Sequence, residues 1–380
     1  MFFLATSTTT SSHGLDHKPE RKAVSDEASP EWRVDLRSVG FTGFTPKLEW
    51  GVHLRLNSLC FSDNDTLIAT FITREEVSAL VHRDQPNETL PLRLHAIFMN
   101  SKSGKVRTTK EWPLTRPTGG VIAAGDGKFA VLTPATISLY SQSLESINNL
   151  KFSSDEQSHL WRFHISPSGK SIVAEYHTPE ASYQWIDTNT LIRRQVSLPI
   201  VISSISDNDV AIHRNPHIIS KGFISEVLIQ SMDGPWRTIC YVPPGEIGGC
   251  GNPQFVNNNA LALWMPHRLS VVPKTGDEAL LKASFRDNEW LGLPLYPSSE
   301  GKRFAVTVWE HKGGNEFLDI DSHSLLKRIV VYDISSRQAV YTLDAKRQKI
   351  KNVSGVALSP DGSLMAVLVD GVVEVYELPL

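Results

Sequence analysis

Histidine, arginine and aromatic residues gather at the ends of short apolar runs in this chain. Tyr176 and His177, His213 and Arg214, Trp264 and His267, and Trp309 with His311 each close such a run. Trp161 and Trp290 stand near the starts of other runs, and Asn252 lies beside one more. Imidazole and guanidinium groups beside aromatic walls could serve as acid, base or oxyanion partner on a small apolar or aromatic molecule. The rings would hold that molecule in a reactive shape. The catalytic candidates are therefore His177, His213, Arg214 and His311. The substrate-binding candidates are Trp161, Tyr176, Asn252, Trp264, His267, Trp290 and Trp309. Glu75, Glu76 and Glu310 lie close by in sequence. Each residue has a plainer role as well: a tryptophan packs, and a histidine at a strand end faces water.

Other chemistries leave no signature. There is no His-Glu-x-x-His zinc motif, no Gly-x-Ser-x-Gly elbow and no phosphate-binding Gly-x-x-x-x-Gly-Lys. Gly248-Gly249-Cys250-Gly251 opens no helical period. Asp63-Asn64-Asp65 and Asp207-Asn208-Asp209 lack the central Gly and distal Glu of a calcium loop. No cofactor and no metal are expected. Cys60, Cys240 and Cys250 are odd in number and lack metal-ligand spacing. Cys60 sits in an apolar strand pattern and reads as a buried core thiol.

Composition narrows the partners. Lys+Arg 38 against Asp+Glu 41 leaves a net charge of -3, so nucleic acid is not expected. No apolar stretch approaches the ~20 residues that span a bilayer, so no membrane is expected. Met1-Phe2-Phe3-Leu4-Ala5 has no basic flank and is short for a signal segment. Residues 1–29 read as a disordered Ser/Thr-rich tail and 30–380 as one domain. A reducing, cytoplasmic setting is the expectation, with secretion as the alternative.

The elements that must position these side chains are strands, and they repeat. The clearest unit starts at Val356: three β-rich segments separated by Ser359-Pro360-Asp361-Gly362 and by Asp370-Gly371. Pro presets φ, Asp bonds nearby amides and Gly accepts positive φ, so the first is a turn; the second is a two-residue hairpin signal. Related turns begin near residues 62, 125, 166, 206, 257 and 298. Four of the six intervals fall at about 40–51 residues, close to the ~40–45 of one propeller blade. The other two exceed about 60 and carry insertions, 73–91 and 309–325. The last unit lacks its fourth strand, and Trp32–Arg37 has no unit of its own. That segment is expected to complete the last blade and close the ring, which removes an exposed edge.

These turns and this spacing resemble the WD40-like propellers over residues 31–380. The expected fold is all-β, a seven-bladed β-propeller of four-stranded antiparallel blades. True WD40 repeats end in Trp-Asp and open with Gly-His; here Tyr332-Asp333 and Trp185-Ile186-Asp187 come nearest, so the family's inner hydrogen-bond network is in doubt. Propeller topology puts both insertions on one face, as a partial lid over a funnel. By analogy with propeller enzymes of fungal secondary metabolism, cofactor-independent cyclases and lyases of the hetero-Diels–Alder kind among them, His177, His213 or His311 would assist loss of water and Arg214 would polarise a carbonyl. The alternative implied by the resemblance is a scaffold for protein–protein interaction.

Overall fold

The computed structural model describes residues 29–39, 58–74, 92–115, 119–177, 182–196, 202–219, 222–231, 234–242, 253–265, 267–276, 278–311, 324–345 and 353–379. The expected tail and most of both insertions lie outside them. The described residues form seven antiparallel sheets of four strands each. Strand β1 (Trp32–Asp35) runs into a 3-10 turn, Leu36–Val39. Blade 1 holds β2 (Leu59–Asp63), β3 (Thr66–Arg74), β4 (Leu92–Asn100) and β5 (Val106–Leu114). Blade 2 holds β6 (Gly120–Gly125), β7 (Lys128–Leu132), β8 (Thr136–Tyr140) and β9 (Ser146–Lys151). A short helix, α1 (Ser154–His159), leads to blade 3: β10 (Leu160–Ile165), β11 (Ser171–Tyr176), β12 (Ser182–Asp187) and β13 (Arg193–Val196). Blade 4 is β14 (Ser204–Ile205), β15 (Asp209–Ile219), β16 (Gly222–Ser231) and β17 (Trp236–Val242). Blade 5 is β18 (Gln254–Asn257), β19 (Ala260–Met265), β20 (Arg268–Pro273) and β21 (Leu281–Ser284). Blade 6 is β22 (Glu289–Pro297), β23 (Arg303–His311), β24 (Ser324–Asp333) and β25 (Gln338–Asp344). Blade 7 has β26 (Val353–Leu358), β27 (Leu364–Val369) and β28 (Val372–Glu377), and takes β1 as its outer strand.

Ring closure follows the expected route. Trp32 to Asp35 pair antiparallel with Val375 to Val372. The Trp32 indole N–H donates to the Ser101 carbonyl of blade 1 at 2.7 Å. The closing strand is shorter than expected, because Leu36 and Arg37 turn out of it.

Burial explains the strand types. Second strands lie between two neighbouring blades, so both faces are covered: β11 is buried throughout and β27 is a continuous apolar run. Outer strands such as β9 and β13 meet solvent and are polar. The apolar core is divided into seven clusters, one in each gap between blades.

All seven expected turns join the first strand of a blade to its second. Three are built alike. Gly169, Gly301 and Gly362 each donate backbone N–H to the carbonyl three residues back, on Ser166, Ser298 and Ser359, at 2.9 Å. Those serine hydroxyls accept from the amides of Ser171, Arg303 and Leu364. The serines are buried because their hydrogen bonds are met inside the turn. These turns define one face, the turn face. The loops between second and third strands and the links between blades define the other, the loop face.

Two boundaries differ from expectation. Trp309, Glu310 and His311 remain in β23, opposite Leu326, Leu325 and Ser324, so the second insertion starts later than 309. His213 and Arg214 do not end a strand, since β15 continues to Ile219 and pairs with a ten-residue β16. Blade 4 thus raises a long hairpin on the loop face that its 51-residue interval concealed. Cys60 is half-buried: it packs against the core cluster between blades 1 and 2, as expected, and also borders the central channel.

Gly169 tests the inter-blade contact. It sits at φ +72°, and a Cβ there would run into the Ala123 carbonyl of blade 2. Gly125 has φ +79° but only the flexible end of Lys170 nearby. Gly125→Ala should cost about 1 kcal/mol, the left-handed penalty alone. Gly169→Ala should cost at least twice that, about 2–4 kcal/mol, because backbone must move. Urea unfolding of both variants checks the difference; equal losses would remove the contact from the account.

Candidate functional site

The innermost strands surround a central channel with a cavity of about 210 Å³. Its wall includes Leu59, Cys60, Val121, Ile165, Phe255 and Val356, and every blade contributes. The Gln254 and Ser204 side chains of the wall already have partners. The Gln254 amide donates to the Leu295 carbonyl at 2.8 Å and accepts from the Leu295 amide at 2.9 Å, filling the bulge in β22 between Gly292 and Tyr296. The Ser204 hydroxyl accepts from the Phe255 amide at 3.0 Å. Burial pushes the Cys60 thiol and the Tyr296 phenol up to about 12. No Asp, Glu, His, Lys or Arg is among the described wall residues, and none of the eleven candidates is either.

Those candidates occupy separate places on the loop face. Tyr176 is buried between blades 2 and 3, and its hydroxyl donates to Gln184 at 3.1 Å. His177 is exposed, with its ring centroid 5.1 Å from that of half-buried Trp161; the two meet at the top of blade 3. His213 lies half-buried on β15 opposite Val227, on the side that faces blade 5. Burial lowers its pKa and keeps it neutral. His267 has φ 65°, and its Nδ1 lies 2.9 Å from the carbonyls of both Arg286 and Glu289. Carbonyls only accept, so Nδ1 carries the proton and the ring braces the link between blades 5 and 6. Trp290 and Trp309 pair across β22 and β23. Trp309 is half-buried, with its indole N–H donating to Thr307 at 3.2 Å, whereas Trp290 remains 36% exposed. Arg214, Trp264 and His311 have described backbones only, and Asn252, Glu75 and Glu76 lie outside the described residues. Of the catalytic candidates with described side chains, His177 stands on blade 3 and His213 on β15 of blade 4, toward blade 5.

Two charged clusters escaped the sequence reading. In the first, Glu289 is buried at 1% exposure beneath the loop-face edge of blade 6. Arg328 grips both its oxygens at 2.7 and 2.8 Å, and Lys327 adds a contact at 2.8 Å. Lys327 also reaches Glu310 at 3.1 Å. The Arg328 guanidinium holds the Glu289 carboxyl at about 2. In the second, Arg162 and His164 project from β10 onto Glu175 of β11, at 2.6 and 2.8 Å. Burial raises the Glu175 carboxyl, but the hydrogen bonds from His164 and Arg162 outweigh it and hold it below its ordinary value. Burial lowers the His164 pKa. The Arg-x-His alternation inside a strand was a readable signal for one shared face. Nothing in sequence announced Glu289, because its partner lies 39 residues on, across a bulge.

Comparison with known proteins finds no matching family model and no matching curated protein. Solved structures do match. A chain of the mitotic checkpoint complex superposes with a TM-score of 0.53 at 12% identity, over 94% of this chain and 98% of that one. The C-terminal WD40 domain of Sif2 gives 0.45 at 12% identity, over 86% and 98%. The likeness is one of fold: the described residues form a seven-bladed β-propeller.

Both clusters make the fold acid-sensitive, with the same sign. Glu289 titrates near 2 when folded and near 4.5 when unfolded. Its stabilisation is present above pH 4.5 and disappears as pH falls to about 2. His164 titrates below 6.5 when folded, so the unfolded chain takes up its proton first and stability drops as pH falls through 6.5. Glu289→Gln should cost about 3 kcal/mol at pH 7, because Arg328 and Lys327 lose their counter-charge. It should also flatten the loss of stability between pH 4.5 and 3. Denaturant melts at pH 7, 4.5 and 3 check both; an unchanged slope below pH 4.5 would dismiss Glu289 as its source.

Proposed function

We propose that the chain is a protein-interaction platform, with the loop-face edge of blade 6 as its docking surface. One observation carries this: of the four large apolar side chains exposed among the described residues, Trp290 and Leu325 stand together on that edge, outside the channel, while Ile147 and Ile192 stand singly on blades 2 and 3. Trp290 is 36% exposed and Leu325 is 37% exposed. Register puts Trp290 with Trp309 on the side facing blade 7 and Leu325 with Glu310 on the side facing blade 5. Tryptophan is the side chain most often found as an anchor at protein interfaces, where a dry contact with a polar rim concentrates binding energy. A rim is present: Arg286, Asp287 and Asn288 are exposed in the adjoining link. The edge is also rigid, since Arg328, Lys327 and His267 lock the link and strands beneath it. The fold supports the same reading, because the similar chain of 0.53 TM-score comes from a multiprotein complex. Acid–base chemistry on a substrate in the channel has no support in the described wall, which holds no carboxylate, imidazole, ammonium or guanidinium group and whose Cys60 thiol and Tyr296 phenol are kept protonated by burial.

The test is affinity capture with the full chain, followed by titration of any recovered protein against the wild type and a Trp290→Ser, Leu325→Ser double variant. Both side chains are partly exposed, so the melting temperature should stay within a few degrees. Binding should weaken at least about thirtyfold, as expected for a truncated anchor worth ~2 kcal/mol. Equal affinity of both forms would move the docking surface elsewhere.

A further inference from the structure

The central channel is a second, independent site. We infer that it takes a small, uncharged, largely aromatic molecule about the size of indole. The cavity measures about 210 Å³. A cavity of about 150 Å³ lined by Leu, Ile and Phe holds benzene, so a bicyclic ring fits here. The wall selects against charge. Leu59, Val121, Phe255 and Leu295 are closed into the gaps between blades, and the half-buried side chains left at the lumen are mostly apolar, with Ala123, Ile165, Pro167, Tyr296 and Pro297 among them. Gln254 and Ser204 turn their polar atoms onto β22 and β18 and not onto the lumen. A carboxylate or ammonium group entering the channel would lose its water and meet no counter-ion among the described wall residues.

The wall is not pure hydrocarbon. The innermost strand of every blade is paired on one side only, so peptide edges face the channel. Such edges suit a ligand with one or two hydrogen-bonding atoms, for example an indole N–H. Ser166, Pro167, Gly169 and Ser299 of the turns also border the cavity, which places its mouth on the turn face, opposite the docking edge of blade 6. The two sites therefore do not compete, and this one needs no protein partner.

The test uses the full chain and two probes, indole and indole-3-carboxylate, followed by calorimetry and ligand-observed NMR. Indole should bind with a Kd below about 1 mM, a modest value for so few atoms. The carboxylate should bind at least about tenfold more weakly. Ala123→Leu and Ser299→Leu each add bulk at the lumen, and each should weaken indole at least about tenfold while the melting curve stays cooperative. Two positions are used so that one misfolded variant still leaves a result. Ile147→Ser, on the outer strand of blade 2, should leave indole binding unchanged. The proposal is overturned if the folded wild type shows no indole binding at 1 mM. It is equally overturned if the carboxylate binds as well as indole, or if a folded channel variant binds as the wild type does.

Discussion

Everything in this molecule depends on blades holding their neighbours through the short turns of one face. The contacts pass from blade to blade around the ring. Asp63 of blade 1 accepts from Gln142 of blade 2. Gly169 of blade 3 lies against Ala123 of blade 2. Ser168 of blade 3 donates to Asp207 of blade 4, whose other oxygen takes Asn258 of blade 5. Asn257 donates to the Gly301 carbonyl of blade 6. Arg303 of blade 6 donates to the Gly362 and Pro379 carbonyls, and Asp361 of blade 7 returns to Asn64 of blade 1. Each link is worth only about 1 kcal/mol by itself. Together they set the seven apolar gaps in register, and the ring has no blade that lacks a neighbour on either side.

The same turns made the fold readable. Ser-Pro-Asp-Gly and its variants serve twice: they reverse the chain, and their small polar side chains reach the next blade. Both uses demand the same residue types, so the repeat is visible even where the strands diverge. The closing strand could also be read, because a blade with three strands and a segment without a blade have one economical solution. What could not be read depended on which side of a strand a residue occupies. Tyr176 looked like a pocket wall, yet strand parity turns it into the gap between blades 2 and 3. His267 looked like a substrate contact at a strand end, yet a left-handed backbone aims its ring at two carbonyls. The bulges at Leu160/Arg162 and Val308/Trp309 reset parity just where Trp161 and Trp309 stand. No local pattern announces a bulge of that kind.

The Tyr332-Asp333 pair, nearest in this sequence to a Trp-Asp, ties blade 6 to blade 7 through Arg303. Asp333, in the Tyr332-Asp333 pair that stands where Trp-Asp would, accepts from Arg303 at 3.2 Å. Arg303 then spans to blade 7. Burial raises the Asp333 carboxyl, but hydrogen bonds from Ser335, Ser336 and Arg303 hold it at about 2. Charge does structural work at Glu289 as well, beneath the edge that exposes Trp290. The loop face thus offers contact on a braced support, while the channel offers a wall of carbon and peptide edges. The proposed docking edge and the proposed channel site can share one ring because the ring, and not either site, sets the geometry.

The central claim is that closure by β1 makes the ring one cooperative unit. Hydrogen exchange of the full chain, compared with a chain lacking residues 1–35, tests it most directly. The account predicts lost protection in β28 that spreads to β26 and β27 and across the gap into β2 and β3 of blade 1, in a single opening step. Loss confined to β28, with blade 1 protected as before, would contradict it.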